Sequence, residues 1–242
     1  MHAVLAIQSR LLRLLSLLML PCAAFCVQAS SFNISPMTFQ LTPQRASTVM
    51  KISNDGSEEV RVQIQAMSWD LDGEVEQLVE TDQLVVNPPV VTIGPNQAQF
   101  VRLGARAIVP AAQERCFRLI LEEVPTSTHT QRSGIRTILR ISSPLFIPAS
   151  APLSQVDWSV IHGSAGMQLV ATNSGNTHQK IVRLQLAGKP DTVPVVEAGL
   201  TYILAGQTRR WPIKKASGAA TLQLRLQTET GTDEQTLSTV VR

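Results

Sequence analysis

The residues that could carry acid–base or metal chemistry are few and do not converge. Once the leader described below is set aside, the histidines are His129, His162 and His178, each isolated in a loop or turn context. No two stand at metal-ligand spacing, and Cys116, the one cysteine left, cannot complete a zinc site. Glu122 and Glu123 are adjacent on a strand-like run, so their carboxylates point to opposite faces and read as solvated or ion-paired groups. There is no strand–GxSxG–helix elbow and no glycine loop before a helix to cradle phosphate. The chain therefore reads as a binding protein with no cofactor and no metal. A secreted hydrolase on a β scaffold would need a converging nucleophile or metal site.

The pattern with chemical consequence is an apolar row. In Gly134–Pro148, Ile135, Thr137, Leu139 and Ile141 share one face of a strand, with Arg136, Ile138, Arg140 and Ser142 on the other. Such alternation describes an ordinary core strand, or an exposed edge whose apolar row is offered to another protein.

Residues 1–29 lie outside the fold. Arg10 and Arg13 accompany the apolar run Leu11–Leu20, and Val27-Gln28-Ala29 is a small-residue cleavage site, the pattern of a secretory signal peptide. The run is short for a membrane span. Pro21 and Phe25 precede Cys22 and Cys26 where a lipoprotein needs a small residue. Removing 29 of the 242 residues leaves 213, and losing Arg10 and Arg13 takes 21 basic groups to 19 against 18 acidic ones. A net charge this small is no argument for nucleic acid or acidic lipid. Cys116 has no disulfide partner and sits beside Phe117 in an apolar run, as a buried structural thiol would.

Short period-two segments recur along the rest. Thr48–Ser53 ends at the turn Asn54-Asp55-Gly56, and Val60, Val62, Ile64 and Ala66 alternate with polar residues up to Trp69. Leu84–Val86, Val90–Ile93, a strand around Phe100 and Arg102, and Arg115–Val124 follow, with Ala105–Gln113 a loop or a single helical turn. Pro125–Gly134 reads as a polar loop and Ala149–Pro152 as a linker. Beyond it come Trp158–Ile161, Met167–Ala171, Ile181–Leu186, Thr201–Leu204, Trp211–Lys214, Leu222–Leu226 and Thr236–Val241. The expected class is all-β, with two immunoglobulin-like β-sandwich domains over 30–149 and 150–242 and no internal sequence repeat.

Glu114-Arg115-Cys116-Phe117-Arg118-Leu119-Ile120-Leu121-Glu122-Glu123-Val124-Pro125 resembles the signature of the periplasmic pilus-assembly chaperones, the PapD-like family. Glu114, Phe117, Leu121, Glu123, Val124 and Pro125 match its pattern without a gap, while Ile120 replaces a common Asn. Ile52-Ser53-Asn54, Asn87-Pro88-Pro89, Val101-Arg102-Leu103 and Leu145-Phe146-Ile147-Pro148 fall in the family's order. The resemblance covers the first domain, and the second only by length and class.

It implies an L- or boomerang-shaped periplasmic chaperone of the chaperone–usher pathway. Such a protein holds pilus subunits by donor-strand complementation and passes them to an outer-membrane usher. It neither spans the membrane nor needs a nucleotide. Ile135, Thr137, Leu139 and Ile141 would be the donor row, and a self-capping dimer would hide that row in the free protein. The usual Arg and Lys that bind the subunit's terminal carboxylate are absent, Thr38 and Pro144 standing in their places. The chain looks more like the archaic branch, which has an arginine after the signature aromatic, here Arg118. Arg118 reads equally as carboxylate anchor or solvated strand residue, and Arg140 and Arg102 are weaker candidates. The resemblance also points to a cis bond before Pro88. The rival reading is an exported structural fimbrial or adhesin sandwich, although pilins of that type usually carry a disulfide.

Overall fold

Alternating apolar residues become the inner faces of two β-sandwiches. The computed structural model describes residues 32–72, 75–125, 138–163, 166–188, 193–213 and 221–241. The leader, His129, Ile135 and Thr137 lie outside the described residues. No helix occurs among those described, and none is long and apolar enough to cross a membrane.

The first sandwich has ten strands: β1 (Phe32–Ser35), β2 (Phe39–Gln40), β3 (Ser47–Asn54), β4 (Val60–Asp72), β5 (Val75–Glu80), β6 (Leu84–Asn87), β7 (Val90–Ile93), β8 (Ala98–Ala105), β9 (Arg115–Glu123) and β10 (Arg140–Ile147). One sheet runs β1-β3-β8-β6. The other runs β2-β10-β9-β4-β5, with β7 also on β4. All pairs are antiparallel except β10 with β2. Met50, Ile52, Val101 and Leu103 from the first sheet meet Val62, Ile64, Phe117, Leu119, Leu121 and Leu145 from the second. Burying side chains of this size stabilises by about 1.5–3 kcal/mol each.

The second sandwich has β11 (Val156–Gly163), β12 (Gly166–Asn173), β13 (Gln179–Ala187), β14 (Val196–Ala198), β15 (Thr201–Ile203), β16 (Thr208–Pro212), β17 (Thr221–Thr228) and β18 (Thr232–Val241). Strand β18 joins its two layers. Its first part pairs antiparallel with β17, and Thr239–Val241 pairs parallel with β11. Leu169, Ile181, Leu184, Leu222 and Leu224 form the core.

Both sandwiches are closed by the same device. Asn54, 1 % exposed, donates from Nδ2 to the carbonyls of Glu58 at 2.7 Å and Ile93 at 3.0 Å, and its Oδ1 accepts from the Gly56 amide. Asn173 donates to the carbonyls of Thr177 and Ile203 at 2.8 and 2.9 Å and accepts from the Gly175 amide. Each asparagine also donates its own amide to a glutamine carbonyl, Gln97 or Gln207. A turn that read only as Asn-x-Gly is thus a buried polar plug repeated in both domains. Glycine is required at the second, because a β-carbon on Gly175 would stand 2.3 Å from the Leu153 carbonyl oxygen.

Several details differ from the sequence expectations. Strands β1, β2, β5 and β14 are additional. β1 alternates over four residues only, β2 and β14 are shorter still, and β5 carries exposed apolar residues on both faces, so none presents a run long enough to read. Residues 106–113 form a loop with no helical turn, and the Trp211–Lys214 segment is a strand over Thr208–Pro212. The bond before Pro88 is cis, as the resemblance implied, and so is that before Pro36, which was not expected. Replacing Asn54 or Asn173 with Ala strands buried carbonyls and a glycine amide. Each substitution should cost about 3 kcal/mol, read as a lower midpoint of urea unfolding.

Candidate functional site

Strand β9 sits between β4 and β10 and is buried on both faces, so each of its side chains needs a partner. Phe117, Leu119 and Leu121 point into the first core. Cys116, Arg118 and Ile120 lie on the opposite face, where Cys116 and Arg118 meet Tyr202 and Leu204 of the second sandwich. A half-buried guanidinium on such a face needs compensation for lost hydration. The Arg118 guanidinium carbon lies 3.5 Å above the centre of the Trp69 ring and 5.3 Å from that of Tyr202, so two aromatic faces provide it. Burial pulls its pKa below the ordinary arginine value, opposed by Tyr202 and Glu76.

Around Arg118 the two domains meet through an aromatic cluster. Trp69, 3 % exposed, packs edge-on to Tyr202 at 5.5 Å and tilted to Phe146 at 6.3 Å. Phe146 stacks on His178 with centroids 3.7 Å apart. His178 is therefore not isolated. Its Nδ1 lies 2.7 Å from Glu114 Oε2, and its amide donates to the same oxygen at 2.8 Å. Trp69 Nε1 donates to Glu76 Oε2 at 2.9 Å, and Glu76 Oε1 accepts from Arg209 Nη1 at 2.6 Å. A cavity of about 400 Å³ opens beside this cluster, lined by Trp69, Glu114, Arg115, Cys116 and Leu204 among others.

Pro144, which occupies the place of the family's lysine, lies directly across the ladder from Arg118. With its face held on Trp69, Arg118 makes no side-chain hydrogen bond to the described residues, and a guanidinium fork of this kind suits a carboxylate. No group of three His, Cys, Asp or Glu able to hold a metal occurs among the described residues.

The other candidate residues divide. Arg140 is exposed on β10 and lies 4.0 Å from Glu122, a solvated pair. Arg102 is exposed on β8, in the opposite sheet, and does not join Arg118. Of the solvated or ion-paired roles expected of Glu123, the solvated one does not hold. It is 2 % exposed, and its amide donates to the Leu139 carbonyl at 3.1 Å. Leu139 and Ile141 are half-buried on the inner face that Leu145 and Ile147 continue, against the rim of the first core. Trp69, Glu76, Tyr202 and Arg209 were not singled out from sequence, and His178 was read there as isolated. Their spacing carries no signal, because they come from strands and turns of both domains.

The edge of β10 is asymmetric. On one side β9 pairs along its whole length. On the other, β2 pairs only with Leu145 and Phe146, while Ser143 Oγ donates to the Met37 carbonyl and Leu41 to that of Phe146. Among the described residues nothing pairs with that edge at Arg140–Ser142.

Cys116 is buried, and burial first, then Glu114, pushes its thiol well above the ordinary range. Because the thiolate is the nucleophile, iodoacetamide at pH 8 should leave the native protein unmodified and alkylate it fully in denaturant, as read by mass spectrometry. Rapid labelling of the folded protein would contradict the assigned burial.

Comparison with known proteins agrees with this architecture. No curated protein matches the chain in a sequence search. The CsuC chaperone of Acinetobacter baumannii, solved with the tip adhesion subunit CsuE of archaic chaperone-usher Csu pili, is 20% identical. That match has a TM-score of 0.65 and covers 87% of this chain and 99% of the other. The Escherichia coli chaperone DraB is 15% identical with a TM-score of 0.60, covering 89% and 98%. SafB of Salmonella enterica, solved in complex with the pilin SafA, is 13% identical with a TM-score of 0.61, covering 86% and 96%. The family model for the pili and flagellar-assembly chaperone PapD N-terminal domain matches residues 31–151. This chain belongs to that family of non-enzymatic pilus-assembly chaperones.

Proposed function

We propose that the protein holds pilus subunits in the periplasm by donor-strand complementation and delivers them to an outer-membrane usher, as a chaperone of the archaic branch. One observation carries this reading: among the described residues β10 is hydrogen-bonded on one edge only at Arg140–Ser142, and there Leu139 and Ile141 continue the core row to the rim of the sandwich. An incomplete subunit would add its sheet to that edge by main-chain hydrogen bonds and take the apolar row into its own core. Ile135 and Thr137 extend the row in sequence.

Arg118 is the anchor for the subunit's terminal carboxylate. It lies across from Pro144 on the same sheet and fixes where the subunit strand ends, which sets the register of every donor residue. Arg140 and Arg102 do not take this part, Arg140 because Glu122 faces it and Arg102 because it belongs to the other sheet. CsuC and SafB, each solved with a subunit, support a subunit as the partner. In the free chain the same edge would be capped by a second copy, since an open apolar edge invites pairing.

The test is periplasmic co-expression with candidate fimbrial subunits, followed by affinity purification. Wild type should bring down a subunit one-to-one. Leu139→Glu should lose it while remaining folded, because Leu139 is only half-buried. Arg118→Ala should weaken the complex about tenfold to a hundredfold, the scale of one charge-assisted bidentate contact. A wild-type protein that captures no subunit, or an unfolded Leu139→Glu, would overturn the donor reading.

A further inference from the structure

The anchor arginine is held by a chain of contacts that ends in the other domain. The Arg118 guanidinium lies on the Trp69 ring. Trp69 cannot slide freely, because its indole N–H is bonded to Glu76 Oε2. Glu76 sits on β5, an edge strand, and its other oxygen is bonded across the domain boundary by Arg209 Nη1 at 2.6 Å and by Gln207 Nε2 at 3.3 Å. Gln207 is 1 % exposed and fixed by accepting from the Leu204 amide. Arg209 also donates to the Tyr202 carbonyl at 3.0 Å, and the Tyr202 ring packs edge-on to Trp69 and flanks Arg118. Every part of this chain touches the next.

Charge gives Arg209 a second consequence. Glu76 is the carboxylate that acts electrostatically on Arg118. A subunit carboxylate arriving at Arg118 must compete with it. While Arg209 holds Glu76, the three groups carry one net positive charge, and the Glu76 carboxylate is already taken. Without Arg209, Glu76 is free to turn to Arg118 and occupy the fork that the incoming carboxylate needs.

We propose that Arg209 of the second domain is a positioning residue for the subunit anchor: by holding Glu76 it keeps Trp69 under Arg118 and keeps Glu76 from taking Arg118 for itself. The anchor is complete only when the two domains are docked. This rests on Arg118 binding the subunit's terminal carboxylate.

The probe is the subunit that co-purifies with wild type, offered in competition with the same subunit carrying one appended glycine, which displaces the carboxylate by a residue. Wild type should prefer the native terminus. Arg209→Gln, which keeps an amide donor but no charge, should lower that preference about fivefold, the scale of one partly exposed ion pair. Arg209→Gln combined with Glu76→Gln should regain most of it, an outcome that a merely structural contact would not give. Retained preference in Arg209→Gln, or no recovery in the double variant, overturns the proposal. Equal capture of both termini by wild type overturns the anchor reading itself. A ligand-free arm reads the same contact by NMR. The Arg118 side-chain N–H, assigned with Arg118→Lys, should be shifted upfield by the Trp69 ring and move back in Arg209→Gln. An unchanged signal in a folded Arg209→Gln protein also overturns the proposal.

Discussion

Strand β9 must satisfy two environments at once, and the rest of the molecule follows from that. Its inward residues complete the first core. Its outward face carries a cysteine and an arginine into contact with Tyr202 and Leu204 of the second domain. A guanidinium cannot lose water there without compensation, and the compensation is aromatic. Trp69 from β4 and Tyr202 from the second sandwich therefore converge on Arg118. Phe146 and His178 extend the same cluster towards the linker.

The same strand supplies one edge of β10 and leaves the other partly unpaired. An edge strand with an apolar row is a liability in an isolated sandwich. In the proposed chaperone role it is the working surface. Arg118 and the open edge belong to one sheet and one hydrogen-bond register, so a subunit held at Arg118, as proposed, would be aligned along β10. Contacts between the domains hold that arrangement. Glu114 bonds His178, and Glu76 bonds Arg209, each linking the first sandwich to the second.

Much of this was legible in the residues. Alternation in Val60–Met67 and Leu222–Gln227 marks strands because one face is buried and the other wetter, while Arg115–Val124 is apolar enough to read as a strand although both of its faces are covered. Placing Arg118 opposite Phe117 and Leu119 required only the period of a strand. The rest depends on distant pairing. Glu76 and Arg209 meet across 133 positions and Glu114 and His178 across 64, separations at which no local pattern reports contact. His178 looked isolated because its partners lie before β9 and on β10. Glu123 looked solvated because nothing local shows that its side of the strand is covered. The plugs at Asn54 and Asn173 could be read as turns, but their burial depends on Ile93 and Ile203 arriving from other strands.

Hydrogen exchange along β10 tests the central claim most directly. By antiparallel alternation, Leu139 and Ile141 face β9, so the amides of Arg140 and Ser142 point to the open edge. In the complex with a co-purified subunit those two amides should become strongly protected relative to the free chain, while amides of β17, in the second core, keep their free-chain rates. If Arg140 and Ser142 exchange equally fast with and without the subunit, the subunit does not add to β10, and the edge is not where this protein does its work.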